Sequence, residues 1–490
     1  MRKFFTCRFE FSYRVIGLAT VMFALSGCTV GPTYRTPSPS VSGIPDAFHA
    51  KLAHSGSLID LAQWWTQFND PLLSTLILSS QKDSPTVVQA EARMRQAYAM
   101  LDLSSAGLLP TASLTASSNW SNGTGVTTAA ITDTVQTLNV AKLNTSWDLD
   151  LFGGTQRSVE GASARATASE QDWHESRVTL AAEVTSTYVG RRQCEALVLQ
   201  NEADLASRLE TDRLIRHKIS YGFSAPIDAL RTEASVAESK SSLHNQKGLC
   251  ARYVNQLAAL TGLSPKTLEA NLDKGKAIIP VPTSTSMPII PAAILSQRPD
   301  VASVERKLAS ASADIGVAQA NRMPKLQLAG VIGINRLRAG GSVTRYDTWS
   351  FYPSLSLPIF DGGSGAAEVS SARARYDEVL AAYRQKIREA VQEVEDALVR
   401  VDVALQREQV TELAETRYQQ YFKAKTVEFG RGATSLLDLE DARRITVNSK
   451  QSLAAVRLER AQSWIALYKS VGGGWQDRQN HRAVSELSEP

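Results

Sequence analysis

Three aspartates and one cysteine are the residues of this 490-residue chain whose types and spacing could do chemistry. Asp438 and Asp441 stand three apart, so both carboxylates share a face if the segment is helical. Gly222 and Asp228 are matched by Gly432 and Asp438, each pair 210 residues apart, so the acidic positions recur in two similar stretches. Cys28 follows Ser26 and Gly27 at the end of an apolar stretch, where small residues admit a processing peptidase and the thiol can take a diacylglycerol. Little else in the sequence points to a reaction. The histidines (His49, His54, His174, His217, His244 and His481) have no metal-ligand spacing. There is no Walker loop, nucleophile elbow or closely spaced cysteine pair. Gly362-Gly363-Ser364-Gly365 falls at an expected strand-to-helix turn without the context of a phosphate loop. A net charge of +4 is small for this length and makes no case for nucleic acid. The expectation is a protein that is not an enzyme and holds no cofactor or metal.

The elements that must position these residues begin with a leader. Arg2, Lys3, Arg8 and Arg14 give a positive start, and Val15 to Leu25 is apolar but too short to span a bilayer as a helix. Residues 1–27 read as a signal peptide, and Leu25-Ser26-Gly27-Cys28 resembles the lipobox of bacterial lipoproteins. The alternative is a plain signal with an incidental cysteine. Several acyl chains, a diacylglycerol and a palmitoyl group on Cys28, would anchor firmly. Thr29 stands where an aspartate retains some lipoproteins at the inner membrane, which points to the outer membrane.

The mature chain contains one half twice. Ser84-Pro85-Thr86-Val87 is echoed by Arg298-Pro299-Asp300-Val301, 214 residues on, and Phe152-Gly153-Gly154 by Phe360-Asp361-Gly362-Gly363. This is a domain duplication rather than a short solenoid period. Its boundaries read as a lipidated extended segment and first helix (28–84), one repeat (85–265), a proline-marked linker (266–298), a second repeat (299–475) and a polar, disordered tail (476–490).

Each half reads as helix, two strands, long helix, turn, long helix. Tyr376, Leu380, Tyr383, Ile387, Ala390, Val394, Ala397, Val401 and Ala404 alternate by four and three, the 3.5-residue seam of a coiled coil. No proline or glycine interrupts the run between Ala366 and Phe429, and Gly365 to Thr426 would extend ~90 Å. Strands are expected near 110–121, 138–151, 325–335 and 347–358, apolar on one face and polar on the other, with loops at Asn122–Asp133 and Arg336–Arg345. Each has about the ~9–11 residues that a tilted membrane strand needs, although period two also suits a half-buried sheet in a soluble protein. Four strands close no barrel, so strands in lipid would require several chains to share one. Cys194 and Cys250 lie symmetrically about Gly222 and could face each other across a hairpin. Two separate core residues are the favoured expectation, because helix axes sit ~8–10 Å apart and a disulfide needs Cα atoms within ~7 Å.

Taken in order, several segments resemble the TolC-like outer-membrane factors, in the lipoprotein branch that serves tripartite efflux pumps. They are Cys28-Thr29-Val30-Gly31-Pro32-Thr33-Tyr34, Trp64-Trp65-Thr66-Gln67-Phe68-Asn69-Asp70-Pro71-Leu72, Trp147-Asp148-Leu149-Asp150-Leu151-Phe152-Gly153, Arg298-Pro299-Asp300-Val301, Leu357-Pro358-Ile359-Phe360-Asp361-Gly362-Gly363 and Tyr468-Lys469-Ser470-Val471-Gly472-Gly473-Gly474-Trp475. The resemblance implies a mainly α protein with a membrane β-barrel. A homotrimer would form a twelve-stranded barrel in the outer membrane above a periplasmic helical tunnel, with a periplasmic adaptor (membrane fusion protein) and an inner-membrane transporter as partners. The function implied is a passive exit duct for drugs or toxic compounds. Alternatives are the exit duct of a type I protein secretion system and a periplasmic coiled-coil structural lipoprotein.

The resemblance also makes the two hairpin turns the periplasmic mouth. Asp438 and Asp441 match the family's constriction carboxylates, with Asp228 as an acidic partner. Ser435-x-x-Asp438 equally suits a helix capping box. In some relatives an arginine and a tyrosine latch the mouth, but here the positions hold Thr434 and Phe429. Leu436 and Leu437 are therefore expected to supply an apolar constriction.

Overall fold

The structure is a computed structural model that describes residues 29–37, 63–127, 130–273, 277–282 and 298–473. The leader, Cys28 and the tail beyond 473 lie outside them, as does most of the proline-marked linker. Helix α1 spans Pro71–Asp83 and α2 Pro85–Ala106, followed by strands β1 (Thr111–Thr127) and β2 (Ala130–Leu149). Then come α3 (Gly154–Ser220), α4 (Pro226–Thr261) and a short α5 (Pro265–Leu272). The second copy runs α6 (Pro299–Ala320), β3 (Lys325–Ala339), β4 (Ser342–Ser356), α7 (Ser364–Gly430) and α8 (Leu436–Ser470). The duplication is thus real at the level of elements. Both α3 and α7 have 67 residues, ~100 Å of helix at the standard rise. None of the described helices is long and apolar enough to cross a membrane.

The chain divides into two compact units. One contains Arg93–Ser169 and Ser303–Tyr383 with the segment up to Thr36, and is built on a four-stranded antiparallel sheet ordered β1-β2-β3-β4. The register puts Leu114, Leu143, Ile332 and Trp349 in one row across all four strands. These side chains are exposed, as are Ile334, Phe351 and Leu355 on the same face. One residue along, the other face carries the row Thr115, Lys142, Gly333 and Thr348. Period two therefore separates an apolar face from a polar one.

The strands are longer than expected. The segments Asn122–Asp133 and Arg336–Arg345, read as loops from their Gly, Thr and Ser content, are mostly strand. Pairing continues through Val126↔Ile131 and Ala339↔Ser342. Composition misled here because a ladder satisfies backbone groups whatever the side chains. Gly340 and Gly341, both at positive φ, close β3 to β4 in the two-residue turn that favours glycine.

After Cys28 the chain is pinned along this unit. The Val30 amide donates to the Phe152 carbonyl (3.1 Å), and Arg157 Nε donates to the Val30 carbonyl (3.2 Å). Gly31 is required by space as well as by its φ of 98°, since a Cβ there would lie 2.4 Å from the Gly316 Cα. Tyr34 donates to Glu305 at 2.5 Å.

The second unit holds Glu170–Ala302 and Arg384–Pro490 with Pro37–Ala92. The seam of α7 is buried as its spacing predicts, from Ile387 through Ala390, Val394, Ala397 and Val401 to Ala404. The aromatic segment before α1 is an anchor: Trp64, fully buried, stacks on Tyr468 with centroids 5.0 Å apart. Asp70 caps α1, accepting from the Leu72 amide at 3.0 Å and from the Tyr188 hydroxyl. The Arg-Pro-Asp that opens the second repeat also has a physical reason. Buried Arg298 donates to Asp300 (2.7 Å), Glu393 (2.6 Å) and the Ser470 carbonyl (2.8 Å). Gly472 lies against it, where a Cβ would come within 3.1 Å of the Arg298 Cα.

Two further expectations change in this unit. Cys194 and Cys250 form a disulfide, with Cα atoms 5.6 Å apart, rather than standing as separate core residues. Average helix spacing was the wrong guide. One turn before Cys194 is Gly190, where a Cβ would meet the Tyr253 ring at 2.8 Å. That missing side chain lets α3 and α4 approach more closely than ordinary packing allows. The start of the expected linker is also helical. Ser264 caps α5 through the Thr267 amide, Pro265 opens it, and Leu268 and Leu272 are buried.

Candidate functional site

The two long hairpins end in the same turn. Gly222 and Gly432 both have φ of 77°, with open space around each, so the backbone alone requires glycine. The Phe223 amide donates to the Lys218 carbonyl (2.7 Å) and the Ala433 amide to the Glu428 carbonyl (2.9 Å), the long bond that closes a helix end with a left-handed residue. This geometry fixes where the acidic residues start.

From there the turns diverge. Helix α4 opens on Pro226 without a side-chain cap, and Asp228 accepts the Ser224 hydroxyl at 2.6 Å. Helix α8 opens on a complete capping box. Ser435 Oγ accepts from the Asp438 amide (3.1 Å), and Asp438 Oδ2 accepts from the Ser435 amide (3.3 Å). The Ser435 hydroxyl (2.7 Å) and Thr434 hydroxyl (3.2 Å) donate to the same oxygen. Ser435's bonds, then Thr434's, hold this exposed carboxyl below its ordinary range. Asp438 thus stays charged near neutrality, as a carboxylate ring around a pore would require. Asp441 lies one turn on and pairs with Arg444 at 2.5 Å, both exposed enough for the pair to be weak.

Leu437 is 55% exposed, whereas Leu436 packs against a buried cluster of Ile215, Phe429 and Leu439, with Ile219 and Phe422 beside it. The cluster joins the end of α3 to α7 and α8. Lys218 lies 4.2 Å over the Phe429 ring. Below it, buried Arg443 pairs with Glu440 and reaches α3, donating to Thr211 Oγ1 at 2.7 Å. Sequence reasoning missed this clamp. Arg443 looks like any helix-surface arginine, and only the arrival of α3 beside it shows otherwise. Thr434 and Phe429 are likewise recast, one as a donor to Asp438 and the other as the centre of an apolar contact.

The tips also differ in surface. Tyr221, Phe223, Ile227 and Leu230 at the first turn are 66–81% exposed.

With this geometry in hand, comparison with known proteins gives consistent matches. The family model described as "Outer membrane efflux protein" matches residues 76–263 and 290–473, once per repeat. Nodulation protein T of Rhizobium leguminosarum bv. trifolii is 31% identical over 461 residues, covering 92% of this chain and 95% of that protein. The toluene efflux pump outer membrane protein TtgC of Pseudomonas putida is 28% identical, covering 95% and 96%. Among solved structures, the outer-membrane channel OprN superposes with a TM-score of 0.80 at 28% identity, covering 92% of this chain and all of that one.

Proposed function

The chain belongs to the outer membrane efflux protein family, an outer-membrane channel with its long helices on the periplasmic side, and from that premise we propose how it works. Three copies pool their sheets into one closed barrel of twelve strands. The observation that carries this reading is the four-stranded sheet with one apolar face, one polar face and free edges at β1 and β4. Open edges leave backbone groups unpaired, which lipid does not tolerate, so β1 of one copy must pair with β4 of the next. The polar face then lines water.

Cys28 carries the lipid anchor. Support comes from the Val30–Phe152 bond, because Phe152 follows the inner end of β2. That bond fixes Val30, two residues after the modified cysteine, at the helix-proximal end of the sheet.

The hairpin turns form the periplasmic mouth. Threefold copies of Asp228, Asp438 and Asp441 make rings that attract cations and repel one another. Leu437 supplies the apolar part of the constriction, and Leu436 stiffens it through the Phe429 cluster. The Ile215–Phe429–Leu439 contact, Lys218 and Arg443 do the latching that a polar pair does elsewhere. The exposed apolar tip of the first hairpin suits a periplasmic adaptor, and an inner-membrane transporter supplies the energy. The cargo is small and toxic, in keeping with the toluene pump named among the relatives.

Single-channel conductance of the purified protein in planar bilayers tests this. Cation-selective steps whose selectivity falls in Asp441→Ala support the acidic mouth. That variant leaves the α8 cap intact, so Asp438→Ala must exceed its effect only through the cap and the second ring. A folded protein that gives no steps would sink the duct.

A further inference from the structure

We propose that Arg336, Arg338 and Arg345 form a site on the outward face of the sheet for the phosphate groups of an anionic lipid in the outer leaflet. The inference rests on the membrane placement of that sheet.

The register carries the argument. On the apolar face, successive rows across the strands can be read from the helix-proximal end towards the turns. Leu149, Leu326 and Leu355 share a row, then Trp147, Leu328 and Pro353. Further out lies the row of Leu114, Leu143, Ile332 and Trp349. The character then changes. Ser118, Asn139, Arg336 and Arg345 occupy a single row, and Arg338 follows in the next, beside Trp120 and Thr137. From Leu326 to Arg336 is ten residues of one strand, ~26 Å of height at ~3.4 Å per residue and ~40° tilt. That equals the ~25 Å apolar band of membrane barrels, so the arginine row stands at the headgroup level. Trp120, 70% exposed, sits there as an interfacial aromatic.

The charges are unusual. Arg336 and Arg345 are direct cross-strand partners, a like-charge pairing that is unfavourable by itself. Arg338 adds a third positive charge two residues along β3 on the same face. Asp347, in the row below Arg345, is the acidic group on that face nearest to them among the described side chains. None of the three arginines has an ion-pair partner among the described residues. Single arginines at this height would simply reach water. An opposed pair with a third beside it makes a fork whose repulsion a shared phosphate removes, by paired charge-assisted bonds. Neighbouring Asn139, whose Oδ1 accepts the Ser118 hydroxyl at 2.6 Å, has its amide N–H groups to donate to a headgroup. The apolar rows beneath, Ile332 and Ile334 foremost, would take its acyl chains.

The test uses the full-length protein in phosphatidylcholine vesicles, with and without lipid A, a lipid bearing two phosphate monoesters. The readouts are the thermal midpoint and channel conductance. Lipid A is expected to raise the midpoint by several degrees. Arg336→Gln/Arg345→Gln should lose most of that shift and Arg338→Gln part of it, with conductance retained. Lys142→Gln, on the opposite face of the sheet, should keep the shift. A double variant that retains it would overturn the proposal, as would inorganic phosphate producing the same shift in phosphatidylcholine alone, which would mark a free-anion site. Wild-type protein that gives no conductance in either vesicle would overturn the membrane placement itself.

Discussion

The first hairpin, α3 with α4, and the second, α7 with α8, share one backbone design and differ in what fastens it. Their turns have the same glycine at the same φ and the same long closing bond. The first is stapled by Cys194–Cys250, opens its returning helix on an uncapped proline and ends in exposed aromatic and aliphatic side chains. The second has no cysteine, caps its returning helix fully and carries the paired aspartates. At the other end of the repeats, Ser84 stands where Arg298 ties three groups together. After duplication, geometry was kept and attachment diverged. A covalently tied, apolar-tipped hairpin suits docking, while a capped, charged one suits a constriction held by contacts that can separate.

The largest test of that contrast makes the second repeat resemble the first. Arg298→Ser should cost about 3–5 kcal/mol in chemical denaturation, because Asp300 is then left buried with only Lys386. A loss below about 1 kcal/mol would mean the two repeats are fastened alike. Next is the staple. Cys194→Ser/Cys250→Ser should lower stability by about 2–4 kcal/mol, and alkylation without reductant should label neither cysteine of the wild type.

A pH titration separates the repeats in another way. Burial raises the Asp300 carboxyl, but Arg298's hydrogen bond and charge, then those of Lys386, outweigh it and hold it at about 2, against an unfolded value of 3.8. A depressed carboxylate contributes stability above its unfolded pKa and loses it as pH falls through the folded one. Roughly 2 kcal/mol should therefore disappear between about pH 4 and pH 2, and Asp300→Asn should flatten that slope.

The shared turn makes an equality prediction. Gly222→Ala and Gly432→Ala should each cost about 1–2 kcal/mol, since both force a Cβ into the left-handed region. Unequal costs would break the likeness of the turns. The smallest effect is at the cap: Ser435→Ala should cost about 1 kcal/mol, while Ala225→Ser in the first hairpin should gain a few tenths if its uncapped start is tolerated merely by Pro226.

Much of the fold was legible because it is periodic. The four-and-three spacing from Tyr383 to Ala404 is local information, and the buried seam followed it. The alternation in Leu326, Leu328, Ile332 and Ile334 fixed which face is apolar, but composition placed the strand ends too early. For the candidate site, the capping alternative at Ser435 and Asp438 was legible because it spans three residues. The clamp of Arg443 on Thr211 joins positions 232 residues apart, and nothing near Arg443 announces it.

The amino-acid sequence by itself determined the duplication, the helical seams, the two-faced strands and the glycine turns, because each depends on neighbours within a few residues. Only the tertiary structure decided whether Cys194 meets Cys250, where Leu436 turns, and that Arg336 opposes Arg345. Those outcomes depend on how closely separate elements approach and in what register. Both are set by packing, as by the missing side chain at Gly190, rather than by the residues taken one segment at a time.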